Sequence, residues 1–446
     1  MNIVLLSGGS GKRLWPLSND VRSKQFIKLF KNENNEYESM IQRMYNGIKK
    51  VDKDANITIA TAKSQVSSIY NQLSKDVDVS LEPCRRDTFP AILLAVSYLY
   101  DVKRVSKDEN VIICPVDPYV DEDYFKALHE LYRYSSTNDA NITLMGIDPT
   151  YPSEKYGYII PFEKGEYSHV KTFKEKPDEE TAKKYIEQGA LWNGGIFAFS
   201  IDYLLNIGHK LINFTDYYDL LDKYESLEKI SFDYAVLEKE QNIDVYSFKG
   251  NWKDLGTWNV LSETIDDKII GNGKMDPTCK NTSIINELDV PVLCMGLEDV
   301  IVAASPDGIL VSTKSASSKM KPYVESIDNT IHYAEKSWGS YRVIDVQDES
   351  MTLLVTLKPG NKMSYHTHEY RDEVWNVISG VGEAIIDDER RIVKPGDVIK
   401  IKRGVYHTVI AGSTDLKIVE VQLGKDISVD DKTKAKVLEK ENEKRM

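Results

Sequence analysis

Four short apolar runs, NIVLL (2–6), NITIAT (56–61), NVIICPVD (110–117) and NITLMGI (141–147), recur along the first third of the chain. Longer stretches of helical character separate them, among them FPAILLAVSYLYDVKRV (89–105) and YFKALHELYRYSS (124–136). Apolar runs this short, ending in glycine, proline or aspartate, read as buried strands feeding loops. Strands that alternate with helices commit this part of the chain to an α/β, Rossmann-like domain with a mixed, mostly parallel sheet. The alternation continues to residue 262.

At 446 residues the chain exceeds what one hydrophobic core organises, and the texture changes twice. From 263 to 330 the apolar runs are short and broken by Asn, Asp, Gly and Pro, as in GNGKMDPTCKNTSIINELDVPVLCM (271–295). That pattern predicts a short β-rich linker of stacked strands, a partial β-helix. It is expected to pack on the α/β domain and to contribute a dimer contact through VPVLCM and VIVAA. From 331 to 446, runs such as MTLLVTL, EVWNVIS, DVIKI and LKIVEVQL alternate with turns, which predicts a small β-barrel or sandwich. The expected domains are therefore 1–262, 263–330 and 331–446.

A net charge of −13 argues against nucleic-acid binding, which needs a basic surface to displace counterions. No run reaches the ~18 apolar residues of a membrane span. The N-terminus has neither a basic n-region nor a signal-length apolar core. The four cysteines lie far apart without a CxxC pair, as expected of reduced thiols in a cytoplasmic protein. A homodimer, with small-molecule partners only, is expected.

The stretch LLSGGSGKRLWPLSNDVRSKQF (5–26) carries the first chemistry. Gly8, Gly9 and Gly11 let the backbone approach a phosphate chain and turn N–H groups toward it. Arg13 and Lys24 add positive charge for the same phosphates. The spacing is neither a Walker A loop nor a GxGxxG fingerprint.

With the segments that follow, this stretch resembles the signature of sugar-1-phosphate nucleotidyltransferases, specifically the bacterial mannose-1-phosphate guanylyltransferases. EPCRRDTFPA (82–91), CPVDPYV (114–120), EKYGYI (154–159), FKEKP (173–177), WNGGIFAF (192–199) and WKDLGTW (252–258) resemble further family segments in the family's order. The resemblance implies joining a sugar phosphate to the α-phosphorus of a nucleoside triphosphate with release of pyrophosphate. It implies Mg2+ on Asp117 and Asp254, since Mg2+ takes one or two carboxylates plus phosphates and water. It further implies Lys176 at the sugar phosphate, Glu175, Asn193 and Gly157 at the sugar, and Asp87 on the nucleobase side. Arg13, Lys24, Asp117, Lys176 and Asp254 are the implied catalytic set. Three positions depart from the family pattern. Lys12 stands for its Thr or Ser, Asp87 for its Asn and Phe89 for its Ala. An ionised Asp only accepts hydrogen bonds, which leaves the base open.

The second constellation is YHTHEYRDEVW (365–375), within G-x5-H-x-H-x4-E-x6-G from Gly360 to Gly380. On a strand, residues two apart share a face, so His366 and His368 both face one interior. Glu373 supplies an oxygen ligand on the continuing chain, and His407 a further imidazole. Three imidazoles and a carboxylate suit one transition metal, Zn2+, Fe2+, Mn2+, Co2+ or Ni2+. Trp375, beside the site, reads as core. The spacing closely resembles the two motifs of the cupin β-barrel family, with Lys402 and Ala411 departing from the second.

A nucleotidyltransferase followed by a cupin is similar to the bifunctional mannose-1-phosphate guanylyltransferase/type II mannose-6-phosphate isomerase family. EKSWGSYRVID (335–345) resembles the entry to its isomerase half, and VDDKTK (429–434) its terminal segment, with Lys434 in place of Arg. The expectation is GTP with mannose 1-phosphate in the first domain and metal-dependent sugar-phosphate isomerisation in the second. Two alternatives stand beside it. One is a transferase of other specificity, such as CTP with a ketose or heptose phosphate. The other is a non-catalytic nucleotide-sugar and metal sensor.

Overall fold

The computed structural model of the chain describes residues 1–9, 12–19, 21–327, 331–428 and 431–435. It divides into two compact units. The first comprises Met1–Leu14, Ser23–Lys268 and Thr313–Lys319; the second comprises Trp15–Arg22, Ile269–Ser312 and the chain from Met320 onward.

In the first unit, nine strands among the described residues form one mixed sheet. Its first four strands in spatial order are Asp78–Glu82, Asn56–Ala62, Asn2–Leu6 and Asn110–Pro115, all parallel. Leu191–Ser200 follows, antiparallel to both its neighbours, Asn110–Pro115 and Ile142–Ile147. Ile243–Phe248 runs parallel to Ile142–Ile147, and the antiparallel strands Tyr167–Lys174 and Gly157–Pro161 complete the order.

The apolar runs lack alternation because both faces of this sheet are covered. Along Asn2–Leu6, Val4 joins one core, with the helix Thr88–Asp101 and its neighbour Ile201–Leu211. Ile3 and Leu5 join the other, with helices Met40–Val51 and Glu122–Ser135. Met40–Val51 starts at a capping box in which Ser39 and Gln42 satisfy each other's orphan N–H groups. Parallel strands all end on one side, so the loops after Leu6 and Pro115 gather at the carboxyl edge of the sheet, where open α/β sheets bind ligands.

In the second unit, Ile269–Gly271, Ser283–Asn286 and Val300–Ser305 stack in parallel around Ile284, Cys294 and Val302. Gly273–Met275 and Val292–Cys294 pair in the same parallel sense. Gly271 has φ +84°, and a Cβ there would lie 1.9 Å from the Asn286 carbonyl oxygen, so only glycine permits the stack.

The C-terminal strands form a six-stranded and a five-stranded sheet among the described residues. Val355, Leu357, Trp375, Val377, Val409 and Ile418 belong to the core they share.

Candidate active sites

The glycine turn after Asn2–Leu6 is tied from behind. The Ser7 carbonyl accepts from Gln25 Nε2 at 3.0 Å, and the Gly9 carbonyl accepts from Ser23 Oγ at 2.8 Å and Gln65 Nε2 at 3.2 Å. Above the turn there is room, since a Cβ on Gly9 would meet no atom within 4 Å. A cavity of about 350 Å³ runs from Gly8 and Gly9 past Lys24 and Asp117 to Glu82 and Asp87. Gly11 lies outside the described residues. Asp87 sits at φ +69°, caps the helix Thr88–Asp101 and accepts from the Thr88 N–H at 2.7 Å.

Asp117 follows Asn110–Pro115, and Asp254 ends the strand Trp252–Asp254. That strand pairs with Pro118–Val120, setting Asp254 opposite Pro118 and so beside Asp117. Lys24 Nζ lies 2.6 Å from Asp117 Oδ2 and 3.8 Å from Asp254 Oδ1. Burial opposes the charge on Lys24, but Asp117 and Asp254 outweigh it and raise its pKa. Burial likewise opposes ionised Asp117, and Lys24 prevails there too, lowering its pKa. Asp254 goes the other way: burial and the charge of Asp117 raise it against Lys24 and Arg13. One ammonium thus leaves the second carboxylate under-neutralised. A pair of adjacent carboxylates with this deficit fits a divalent cation.

A second cluster holds Gly157, Glu175, Lys176 and Asn193. Lys176, at φ +43°, donates to Glu175 Oε1 at 2.5 Å. Glu175 Oε2 is buried without a hydrogen-bond partner among the described residues. A Cβ on Gly157 would lie 2.5 Å from that oxygen, so glycine leaves it its space. Asn193 donates to Asp233 Oδ1 at 2.7 Å and accepts from the Gly195 N–H at 3.0 Å. Aromatic rings join the two clusters: Tyr156 lies 4.8 Å from Trp192 and 5.7 Å from Trp252 between ring centroids. These rings immediately precede Gly157 and Asn193 and open the Asp254 strand.

Burial, then the charge of Glu175, pushes Asp233 up to about 6 from 3.8. The folded chain therefore holds this proton more tightly than the unfolded chain, so ionisation destabilises the fold. This contribution should be intact below about pH 4 and lost as pH rises to about 6. Urea midpoints of the wild type and Asp233→Asn, compared between these limits, check it. Asp233→Asn should lack this component of the slope; identical slopes contradict it.

In the barrel, His366 pairs in register with His407, and Glu373 reaches them from the other sheet. The imidazole centroids lie 4.4–5.2 Å apart. Glu373 Oε1 is 3.1 Å from His368 Nε2, and Glu373 Oε2 is 3.4 Å from His407 Nε2. Each Nδ1 meets a main-chain carbonyl: Ser364 for His366, Val405 for His407 and Asp431 for His368. A carbonyl only accepts, so each Nδ1 carries the proton and each Nε2 presents a lone pair inward. His407 Nε2 is buried without a partner among the described residues. Burial, then the nearby Lys432, pushes His366 down to about 2, keeping it neutral. Burial opposes ionised Glu373, but its neighbours His368 and His407, with the Arg371 guanidinium, hold its pKa well below 4.5. Neutral imidazoles with converging lone pairs and one ionised carboxylate fit a transition metal.

Several site residues carried no sequence signal that was used. Arg371 donates to Glu373 Oε1 at 3.0 Å and to His368 Nε2 at 3.1 Å. Trp375 is core, as expected, but its Nε1 also donates to Glu373 Oε2 at 3.0 Å. Glu420 and Gln422 lie opposite Trp375 and Glu373 in register, buried and bonded to each other at 2.6 Å. Asp431 accepts from the Glu369 and Tyr370 N–H groups, while Asp430 lies outside the described residues. In the first unit the additions are Asp233 and Glu82, whose Oε2 accepts from the Tyr224 hydroxyl at 2.8 Å.

A family described as nucleotidyl transferase matches residues 2–269, and one described as mannose-6-phosphate isomerase C-terminal matches residues 325–436. The xanthan biosynthesis protein XanB of Xanthomonas campestris pv. campestris is 30% identical over 96% of this chain and 96% of its own. A mannose-1-phosphate guanylyltransferase of Escherichia coli is 29% identical with the same coverage. A crystal structure from Thermus thermophilus, described as mannose-1-phosphate geranyltransferase, superposes with a TM-score of 0.62 at 26% identity. It covers 73% of this chain and 98% of that one. Among the described residues no helix is long and apolar enough to cross a membrane.

Proposed function

We propose, for a chain that belongs to the nucleotidyl transferase family and carries a mannose-6-phosphate isomerase C-terminal domain, that its first site makes GDP-mannose from GTP and mannose 1-phosphate. The observation that carries guanine is Glu82. Burial raises its pKa, with the Tyr224 hydroxyl opposing, and that hydroxyl occupies Oε2. Oε1 lies toward Gly8, 3.5 Å from where a Cβ would stand, at the wall of the nucleotide cavity. A carboxylate only accepts, and guanine offers two adjacent donors, N1–H and N2–H, where cytosine and adenine offer one amino group.

The sugar phosphate is the nucleophile. Its oxygen forms a bond to the α-phosphorus as the bond to the β-phosphate oxygen breaks, and pyrophosphate leaves. The glycine-turn N–H groups, Arg13 and Lys24 hold the triphosphate; Lys176 holds the sugar phosphate in line. Asp117 and Asp254 would hold Mg2+, which when bound neutralises the phosphate oxygens around the reacting centre.

The barrel is proposed to interconvert hexose 6-phosphates. His366, His368, Glu373 and His407 would hold the metal, which when bound polarises the oxygens on C1 and C2. Arg371 fixes His368 and Glu373. Glu420, which burial and then the charge of Glu373 push up to about 8, lies on the same inner face and is assigned the C1/C2 proton. The barrel's product is a 6-phosphate and the transferase uses a 1-phosphate, so a separate mutase reaction stands between them.

The domain boundaries 1–262, 263–330 and 331–446 are proposed as functional limits. A homodimer is proposed through the stacked strands, where Leu293, Met295, Ile309 and Val311 are 60–65% exposed; VIVAA (300–304), expected to contribute, is instead buried in the chain's own stack. The cysteines are unpaired, in keeping with a cytoplasmic site of action.

The test is pyrophosphate release from GTP, ATP, CTP and UTP with mannose 1-phosphate and Mg2+. GTP should lead in kcat/KM, and Glu82→Ala should narrow that lead by at least about tenfold, the lower end for one lost polar contact. A lead for CTP, unaffected by Glu82→Ala, would transfer the assignment to the pyrimidine alternative.

A further inference from the structure

We infer that Asp233, together with Glu175, reads two neighbouring hydroxyls of the sugar, and that Asn193 is the residue that positions Asp233. The inference rests on the transferase reading above and deepens it.

The segment that presents Asp233 is locked. Phe232 is fully buried and stacks on Phe197 at 4.8 Å and Phe199 at 5.6 Å. Its N–H donates to Thr88 Oγ1 at 2.8 Å, and the Phe89 N–H donates to the Ile230 carbonyl. Asp233 then opens a π-helical turn, Asp233–Leu237, whose Ala235, Val236 and Leu237 are buried. Such wide turns are rare and recur at functional sites, because they re-aim a side chain that an α-turn would direct elsewhere.

Asn193 is held at both ends of its amide. Its oxygen takes the Gly195 N–H and its nitrogen gives one hydrogen to Asp233 Oδ1. One N–H is left, so this side chain has little capacity to distinguish sugars. The acceptor capacity lies in the carboxylates. Glu175 Oε2 is a buried acceptor without a partner among the described residues, in the space kept by Gly157. Leaving such an atom without a donor is destabilising, and the cost is removed when a donor arrives. Burial first, and then the neighbouring Glu175 carboxylate, push Asp233 up. Lys176, paired with Glu175 at 2.5 Å, supplies a nearby cation and stands ready for a phosphate. A ligand that brings two neutral O–H donors beside one phosphate satisfies every group present. That is the chemistry of a vicinal diol on a sugar 1-phosphate. A sugar with one of these hydroxyls removed or inverted leaves a buried carboxylate unpaired.

The experiment is steady-state kinetics of the full chain at saturating nucleotide. The substrates are mannose 1-phosphate, its C2 epimer glucose 1-phosphate, and the 2-, 3- and 4-deoxy analogues of mannose 1-phosphate. The wild type should prefer mannose 1-phosphate to at least one deoxy or epimeric analogue by at least about 10²-fold, since a site built to hydrogen-bond a hydroxyl rejects an analogue without it by up to about 10⁴–10⁵-fold. Asp233→Asn and Asp233→Ser should lower kcat/KM for mannose 1-phosphate and reduce that preference to a few-fold, with the KM for nucleotide unchanged. Asn193→Ala should raise the KM for the same sugar while keeping the order of preference. An equal fall on all sugars in both Asp233 variants, with the preference intact, would overturn the inference and leave Asp233 a structural group. Melting curves show whether such a fall follows unfolding; a variant that melts below the assay temperature is read by sugar order in the other. Absence of pyrophosphate release by the wild type with every hexose 1-phosphate sinks the transferase reading itself, a separate outcome.

Discussion

Asp117→Asn and Asp254→Asn each lower pyrophosphate release by at least about 10²-fold, the scale seen when one main electrostatic stabiliser of a transition state is removed. Both carboxylates converge on Lys24, which lines the cavity beside the glycine turn, and both are proposed to hold the divalent cation. An Asn keeps the shape and one acceptor but loses the charge. The two variants should part company in stability. Asp117 is ionised against the cost of its burial because Lys24 is beside it, so Asp117→Asn leaves a buried ammonium with one distant partner and lowers the melting temperature. Asp254 is pushed up by burial and by Asp117, so losing its charge relieves repulsion and leaves the melting temperature equal or higher. Near-normal turnover in both variants at saturating Mg2+ contradicts the assignment.

The second large effect belongs to the barrel. The double variant His366→Ala/His368→Ala should lose both the bound metal and all hexose 6-phosphate interconversion. Wild-type protein purified by gel filtration should carry about one transition-metal ion per chain, from a single four-ligand set. The double variant removes two of the four proposed ligands, one of them 3.1 Å from Glu373. Pyrophosphate release should stay within about twofold of the wild type, since independent sites do not couple. Equal metal content in the two proteins excludes these histidines as ligands. A parallel loss of transferase activity contradicts independence.

The strands were legible because their physics is local. NIVLL and NVIICPVD are apolar on both faces, and the sheet that covers both faces contains them. The position of Leu191–Ser200 was not legible. It enters antiparallel between two strands far from it in sequence, and pairing partners leave no mark on a strand's own residues. The His366, His368 and Glu373 group was readable from period two and fixed offsets. Glu420 and Gln422 were not, because LKIVEVQL is apolar on both faces over most of its length. Leu416 and Ile418 bury in the core, and the same face then continues into the polar end as Glu420 and Gln422. Asp233 was hidden too, since nothing in SFDYAVLEK (231–239) sets its carboxylate apart. What draws it partly out of solvent is the π-turn and the packing of Phe232 on Phe197 and Phe199, neither of which has a sequence period. Asp87 was singled out for lacking the donor of an Asn; its carboxylate caps the helix that follows, at the wall of the cavity beside the glycine turn.

The central claim is that the first site turns over a sugar 1-phosphate and does not merely bind it. The most direct measurement follows pyrophosphate and nucleotide sugar together, in one reaction of the full chain with GTP, mannose 1-phosphate and Mg2+. Equimolar pyrophosphate and GDP-mannose are expected through many turnovers, abolished by chelating the Mg2+. Tight binding of nucleotide or sugar phosphate without either product, with every base and hexose 1-phosphate tried, would contradict it and leave the chain a sensor.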